Sequence, residues 1–447
     1  MNLKNITEEK GHYLVGFNDI DPWSSNHKEI LCLKTESMVD IPSEENQAEV
    51  VLVNLESGKV KTLDQTMCWN FPQGGRQAWI RTNDGDKIIY NIRKKNKFIA
   101  KIIDKDGAHI LNCDKPTYAL SPCSNYSYGL NYERLYRLGG YGYAGVIDNS
   151  EGNNLPKDDG IWKTDLTTGK SKLILSIKSV AETNGNSKIL KETEHYLTHI
   201  LPSPNGEKIS FLHRYWLPDG GIQTRLIICD SNGKNTQVWD EGFMSHFDWA
   251  NNESIIMWGK PTSKAQALRS SSFLTNIPLL SPILQGLKPL IKKVLGKKLI
   301  PEGYYKLVSY EKRFKSIKYS ELLPTEDGHP SFCPSKRNLL LTDTYPNSNS
   351  ERELVIIDNK SSTIHTLFKL KESQLKPSEK NFNSITKYID SDILQNFSKK
   401  HFIHARSGIH CDFHPRWRRD GEYICIDSNH EDFRSVYIIK IKKDLFQ

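Results

Sequence analysis

The stretch that decides the fold is LPSPNGEKISFLHRYW, residues 201–216. An apolar lead-in is followed by a Ser-Pro-Asn-Gly turn and then by a β-rich run. Serine, proline, asparagine and glycine accept tight-turn dihedrals, and Ile-Ser-Phe-Leu favours a strand. The same phrase recurs as PWSSNHKEILCL from Pro22, AWIRTNDGDKIIY from Ala78 and ALSPCSNYSYGL from Ala119. It returns as DWANNESIIMW from Asp248, SFCPSKRNLLLT from Ser331 and RWRRDGEYICI from Arg416, making seven copies. A second phrase, strand–polar turn–strand, follows most of them: EVVLVNLESGKVKTL at Glu49, GIWKTDLTTGKSKLIL at Gly160, RLIICDSNGKNTQVW at Arg225 and ELVIIDNKSSTIHTLF at Glu353. Two antiparallel hairpins per repeat make the four-stranded blade of a β-propeller.

The first apolar residue after each turn falls at 30, 88, 128, 209, 255, 339 and 424, with gaps of 58, 40, 81, 46, 84 and 85 residues. Ordinary blades repeat every ~40–50 residues, so three gaps carry insertions. The last copy ends at SVYIIKIKKDLFQ, leaving no room for a fourth strand, and residues near the N-terminus are expected to supply it. The prediction is an all-β, seven-bladed propeller spanning 1–447 as one domain, with a helical insertion between blades five and six. That insertion, residues 260–303, contains FLTNIPLLSPILQGLKPLIKKVLGKKLI at 273–300. Its apolar residues follow helical spacing, and its lysines mostly take the other face. Pro282, Gly286 and Pro289 argue against a spanning helix. A basic amphipathic segment of this kind suits a propeller rim, a membrane surface or a partner protein.

Lys+Arg exceeds Asp+Glu by 61 to 53, a net charge of +8 on 447 residues, and no nucleic-acid motif accompanies it. An anionic partner is allowed and nucleic acid is not expected. The opening MNLKNITEEKG has no apolar run of signal type, and the 8 cysteines form no CxxC pair. The expected setting is the cytoplasm, with reduced thiols, or the inner face of the membrane. No nucleophile elbow, P-loop or HExxH is present.

Propellers place small-molecule sites where the innermost strands and their loops meet. Polar and aromatic residues are dense there: WNFPQGGRQAW (Trp69–Trp79), LNYERLYRLGGYGYAG (Leu130–Gly145), LHRYW (Leu212–Trp216), SHFDW (Ser245–Trp249), DGHPSF (Asp327–Phe332) and HCDFHPRW (His410–Trp417). Aromatic faces stack on sugars and arginine forks bind carboxylates, which singles out Trp69, Arg76, Tyr141, Tyr143, His213 and Tyr345 as substrate contacts. His246, His329, His410 and His414 enter three successive copies. His410, Asp412 and His414 alternate at strand period, which puts their side chains on one face. Together with His329 they form a ligand set suited to Mn²⁺, Zn²⁺ or Fe²⁺.

SPNGEKISFLHRYW, SHFDW, DGHPSFCPSKRNLLLTDTYP and HCDFHPRWRRDGEYICIDSNH resemble the oligogalacturonate lyase-like seven-bladed propellers, and more closely their uncharacterised bacterial relatives met around surface-polysaccharide genes. The resemblance is strongest from Leu201 to Ile439. It implies a cytosolic lyase of uronate oligosaccharides, with manganese, a histidine base and an arginine. It places the base at His246, metal ligands at His329 and His414, and the arginine at Arg225 or Arg214. Asp412 stands where the family has another histidine. The family's glutamine falls on Ile409, with His410 beside it as substitute. The implied reaction is β-elimination from an acidic oligosaccharide or polysaccharide. The alternative is a non-catalytic propeller that binds glycan or protein and assists surface-polysaccharide assembly at the membrane.

Overall fold

The computed structural model describes residues 1–7, 11–184, 188–261, 303–310, 313–318, 327–442 and 445. Its turns follow from their residues. In four copies the backbone closes an i to i+3 bond: His27 N–H to Ser24 O, Ser124 to Ser121, Gly206 to Ser203 and Gly421 to Arg418. The fourth residue is left-handed in each, with φ of 59, 57, 72 and 75°. Glycine takes this conformation freely in the last two. Each turn delivers the chain into an apolar second strand.

The strands form antiparallel sheets in chain order. The first sheet contains His12–Leu14, Glu29–Thr35, Ala48–Asn54 and Val60–Thr66. The second contains Ala78–Thr82, Gly85–Arg93, Phe98–Asp104 and His109–Asn112. Ala119–Leu120, Tyr126–Gly129, Gly160–Asp165 and Ser171–Ser176 make the third. The fifth contains Ser331–Phe332, Leu339–Asp343, Glu351–Asp358 and Thr363–Lys371. In the closing sheet Arg416–Trp417, Tyr423–Ser428 and Ser435–Lys440 are joined by Leu3–Asn5, which pairs with Ser435–Lys440. The N-terminus thus supplies the missing fourth strand, as expected of a propeller.

The count of separate sheets is a correction. Among the described residues there are six, where seven were expected. The fourth has seven strands: His195–Pro202, Lys208–Trp216, Ile222–Asp230, Gln237–Trp249, Ser254–Pro261, Gly303–Tyr310 and Arg313–Lys318. The cause is Gln237–Trp249, a strand of 13 residues. It pairs back to Ile222–Asp230 through its first half and forward to Ser254–Pro261 through its second. No turn separates the fourth copy from the fifth, so one strand serves both. The helical insertion expected at 260–303, with its basic stretch at 273–300, lies outside the described residues but for its end positions. Among the described residues no helix is long and apolar enough to cross a membrane.

The chain divides into two compact units. One comprises residues 1–149, 162–172 and 328–447, and the other residues 150–161 and 173–327. In the first unit the sheets stack face to face, and strand alternation shows it directly. Ile424 and Ile426 pack with Leu339, Leu341, Leu354 and Ile356 of the fifth sheet. Cys425, from the opposite face, packs with Ile30, Cys32, Val51 and Val53 of the first. Leu31 and Leu33 then meet Trp79, Ile88 and Tyr90 of the second. Sheets buried on both faces read as near-continuous apolar runs, as ICI and ILCL do. The other unit builds its own core between the two halves of its seven-stranded sheet, from Leu212, Leu226, Ile228, Met244, Phe247, Trp249 and Ile255.

A tryptophan near the start of three copies bonds the preceding copy. Trp79 Nε1–H donates to Pro22 O (2.8 Å), Trp249 to Leu201 O (3.1 Å) and Trp417 to Ser331 O (3.0 Å). All 8 cysteines are free, and Cys123 alone is exposed.

Ile6 follows the closing strand, is 3% exposed and packs into the core shared with the first sheet. Full burial of such a side chain supplies about 1.5–3 kcal/mol. Deleting residues 1–6 should therefore lower unfolding stability by at least that amount in urea titration, with the urea midpoint falling accordingly. An unchanged midpoint would show that the closing strand contributes nothing.

Candidate metal centre

His329, Asp412 and His414 come together in the first unit, with one donor atom from each lying within 4.8 Å of the others. All three side chains are buried, and His414 is 0% exposed. His329 enters just before Ser331–Phe332, and Asp412 and His414 enter just before Arg416–Trp417. The alternation expected for 410, 412 and 414 is not that of a regular strand, because these residues precede the strand and His414 is left-handed at φ 42°. Asp412 and His414 nevertheless converge.

The three differ in their partners. His329 Nδ1 lies 2.9 and 3.1 Å from the two carboxylate oxygens of Asp343. A carboxylate only accepts, so Nδ1 carries the proton and Nε2 is the basic nitrogen, 3.9 Å from Asp412 Oδ2. Asp412 Oδ1 pairs with Arg352 Nη1 at 2.7 Å, and Oδ2 with His410 Nε2 at 3.1 Å. Arg352 is itself held by Glu372 at 2.6 Å. Burial alone pushes the Asp412 carboxyl up, but the charges of His410 and Arg352 outweigh it and hold the group well below the usual carboxylate range. It is ionised.

His414 has neither ring nitrogen hydrogen-bonded. Its ring packs edge-on to His329, centroids 4.2 Å apart, and against Phe17 at 5.3 Å. Burial first, and then His329, push the imidazole well below its ordinary value, so it is neutral. A buried polar group left without a partner costs about 1–3 kcal/mol. A neutral imidazole, a second imidazole with a fixed tautomer and an ionised carboxylate are the donor set of a borderline divalent cation. The residues fit such an ion.

The other candidates lie as follows. His410 is outside the three-donor group: it bonds Asp412 and faces Tyr345 and His404, with ring centroids at 6.2 and 5.4 Å. Half-buried Tyr345 also faces His329 at 6.1 Å. Ile409, at the family's glutamine position, is buried among apolar side chains. Arg76 is buried, donates to Asp19 (3.0 Å) and Tyr118 O (2.7 Å), and lies over the Tyr118 ring. Trp69 donates to Asn46 O, Tyr143 stacks on Tyr132 at 4.5 Å, and Tyr141 lies under the Arg406 guanidinium.

In the second unit, His246 Nδ1 lies 3.0 Å from Asp327 Oδ1, a dyad that fixes its tautomer. Arg225 is enclosed at the end of the helix Ile177–Glu182, donating to the carbonyls of Val180, Ala181 and Thr183. Arg214, half-buried, donates from Nη2 to Met244 O. His213 is buried in a directional chain. Arg225 Nη1 donates to its Nδ1 (3.4 Å), its Nε2 donates to His195 Nδ1 (2.9 Å), and His195 Nε2 donates to Leu190 O (2.9 Å).

Sequence reasoning missed Asp343, Arg352, Glu372, Asp327 and His404. One available signal was the aspartate that follows the apolar run of a second strand, in LLLTD at 343 and again in ICID at 427.

No protein-family model matches the chain, and no curated protein matches it. Among solved structures it is similar to an oligogalacturonate lyase in complex with manganese, at 9% identity over 100% of this chain and 94% of that one, TM-score 0.42. An oligogalacturonate lyase from Vibrio parahaemolyticus is 9% identical over 99% and 94%, TM-score 0.41. The β-propeller domain of the Trilobed protease from Pyrococcus furiosus is 10% identical over 97% and 96%, TM-score 0.46. Likenesses of this size carry no argument about activity; the propeller assignment rests on the strand pairing above.

The histidine chain makes stability pH-dependent. Burial, then His195 and Arg225, push His213 well below its ordinary value, while Tyr215 and, behind it, Glu241 face the same cluster. The unfolded chain takes up this proton near pH 6.5 and the folded chain does not. The contribution is thus complete above that pH and is lost as pH falls below it, by up to about 1.4 kcal/mol per pH unit. His213→Gln should flatten the acid limb of stability against pH by one proton. An identical slope in wild type and variant would contradict this.

Proposed function

We propose that the protein is a carbohydrate-active propeller that uses a divalent cation, Mn²⁺ foremost, to cleave uronate-containing glycans by β-elimination. The observation that carries the reading is His414, a neutral buried imidazole with both nitrogens unpartnered, beside His329 and ionised Asp412. The sequence resemblance supports it, since it independently implies His329 and His414 as ligands.

In this reading His329, Asp412 and His414 hold the cation. When bound, it neutralises the charge that grows on the substrate carboxylate as C5 loses its proton. The chain's own residues do the rest. The sequence resemblance assigns the C5 proton to His246, whose Nδ1 is engaged by Asp327 within the second unit. Arg225 is spent on helix-end carbonyls, so Arg214 is the arginine assigned to the substrate carboxylate. Tyr345, beside His329, offers a sugar-stacking face and a hydroxyl for the leaving O4. The substrate is an acidic oligosaccharide or polysaccharide, met in the cytoplasm or at the inner face of the membrane. The stretch 273–300 is the segment assigned to a membrane or protein contact.

Incubation with galacturonate and glucuronate oligosaccharides and Mn²⁺ should raise the ultraviolet absorbance of the unsaturated product. His414→Ala should abolish metal uptake with the fold intact. His246→Ala should keep the metal and lose about 10²–10⁴ in turnover. Metal binding with silence across all substrates would favour the non-catalytic glycan-binding alternative. A His414→Ala variant that loses thermal stability while its metal content is unchanged would make this histidine structural.

A further inference from the structure

We propose that Asp343 is the positioning residue of this centre, a single carboxylate that sets both the tautomer of His329 and the backbone of His414. The inference rests on the metal-binding reading above and assigns a role that none of the candidate ligands has.

Asp343 ends the second strand of the fifth sheet and is 0% exposed. Its Oδ1 accepts from the backbone N–H of His329 (2.7 Å) and from His329 Nδ1 (2.9 Å). Its Oδ2 accepts from the backbone N–H of Phe413 (3.0 Å) and of His414 (3.3 Å). The two segments that carry the imidazoles are therefore tied to one group. Close approach is enforced by Gly328, where a Cβ would come within 1.9 Å of Asp343 O. The bond to His414 N–H also holds a non-glycine residue in the left-handed region, at φ 42°. Fixing Nδ1–H leaves Nε2 as the basic nitrogen of His329, on the side of Asp412. Carboxylates that bond a ligating histidine in this way raise its basicity and lock its ring, and their loss typically costs about 10–100-fold in metal affinity.

The fold supplies an internal control. Asp427, one residue before the end of the second strand of the closing sheet, repeats the backbone clamp, accepting from Val15 N–H (3.2 Å) and Gly16 N–H (3.4 Å), but the histidine that stands there in the place of His329, His414, makes no bond to it. It is also bonded by Arg416 and Arg434. Asp427 clamps backbone and two arginines but no imidazole, whereas Asp343 clamps backbone and ligand.

The test is Mn²⁺ titration calorimetry on the full chain for wild type, Asp343→Asn and Asp427→Asn, with melting temperatures recorded alongside. Both variants should lose thermal stability, but only Asp343→Asn should weaken Mn²⁺ binding, by about 10–100-fold. Equal Mn²⁺ affinity in the two variants would overturn the positioning role and leave the metal reading standing. A wild type that binds no Mn²⁺ would overturn both. Should Asp343→Asn fail to fold, ¹⁵N NMR of the wild-type imidazoles decides. A His329 protonated at Nδ1, its proton protected from exchange, supports the role, and the Nε2–H tautomer refutes it.

Discussion

Face-to-face stacking of sheets creates the constraint on which this structure depends. A sheet buried on both faces leaves no water for the backbone at its inner end, where the chain enters irregularly and has no ladder partner. Each such N–H must be satisfied sideways, by the neighbouring sheet. Asp343 does this for Phe413 and His414, Asp427 for Val15 and Gly16, and Asn91 for Thr117, whose N–H it accepts at 2.7 Å. The tryptophans Trp79, Trp249 and Trp417 act similarly on carbonyls of the preceding copy. The repeat is therefore a lateral bonding device as well as a pattern of turns. A functional site arises where that device also holds a side chain with chemistry, as Asp343 holds His329.

The fold was legible because turns and strands are local. Glycine marks the left-handed corners at 206 and 421, and the apolar runs after them have nowhere to go except a sheet. The closing strand was legible by subtraction, since the last copy had three strands where four were needed. The number of sheets was not. Whether Gln237–Trp249 breaks into two strands or runs through depends on pairing with both neighbours at once, and QVWDEGFMSHFDW contains no turn to report the outcome.

The candidate site divides in the same way. His329, Asp412 and His414 could be named because each lies just before the first strand of its copy, and because the resemblance marks both histidines as ligands. His410 was grouped with them on strand alternation, which the left-handed residue at 414 shows does not govern this segment. Asp343 escaped notice because it joins His329, 14 residues away, to Phe413 and His414, 70 and 71 residues away, a relation that only sheet stacking creates. Arg225 was named through the family resemblance and His213 through the polar stretch LHRYW. In the structure Arg225 donates to the carbonyls at the end of a short helix, and His213 is bonded between Arg225 and His195.

The central claim is that one buried group of two imidazoles and a carboxylate binds a divalent cation. Anomalous diffraction from crystals grown with Mn²⁺ tests it most directly. The account predicts a single strong peak enclosed by His329, Asp412 and His414, with the Asp343 carboxylate still on His329 Nδ1. A map with no peak there, or with manganese bound elsewhere and His414 unchanged, would contradict it.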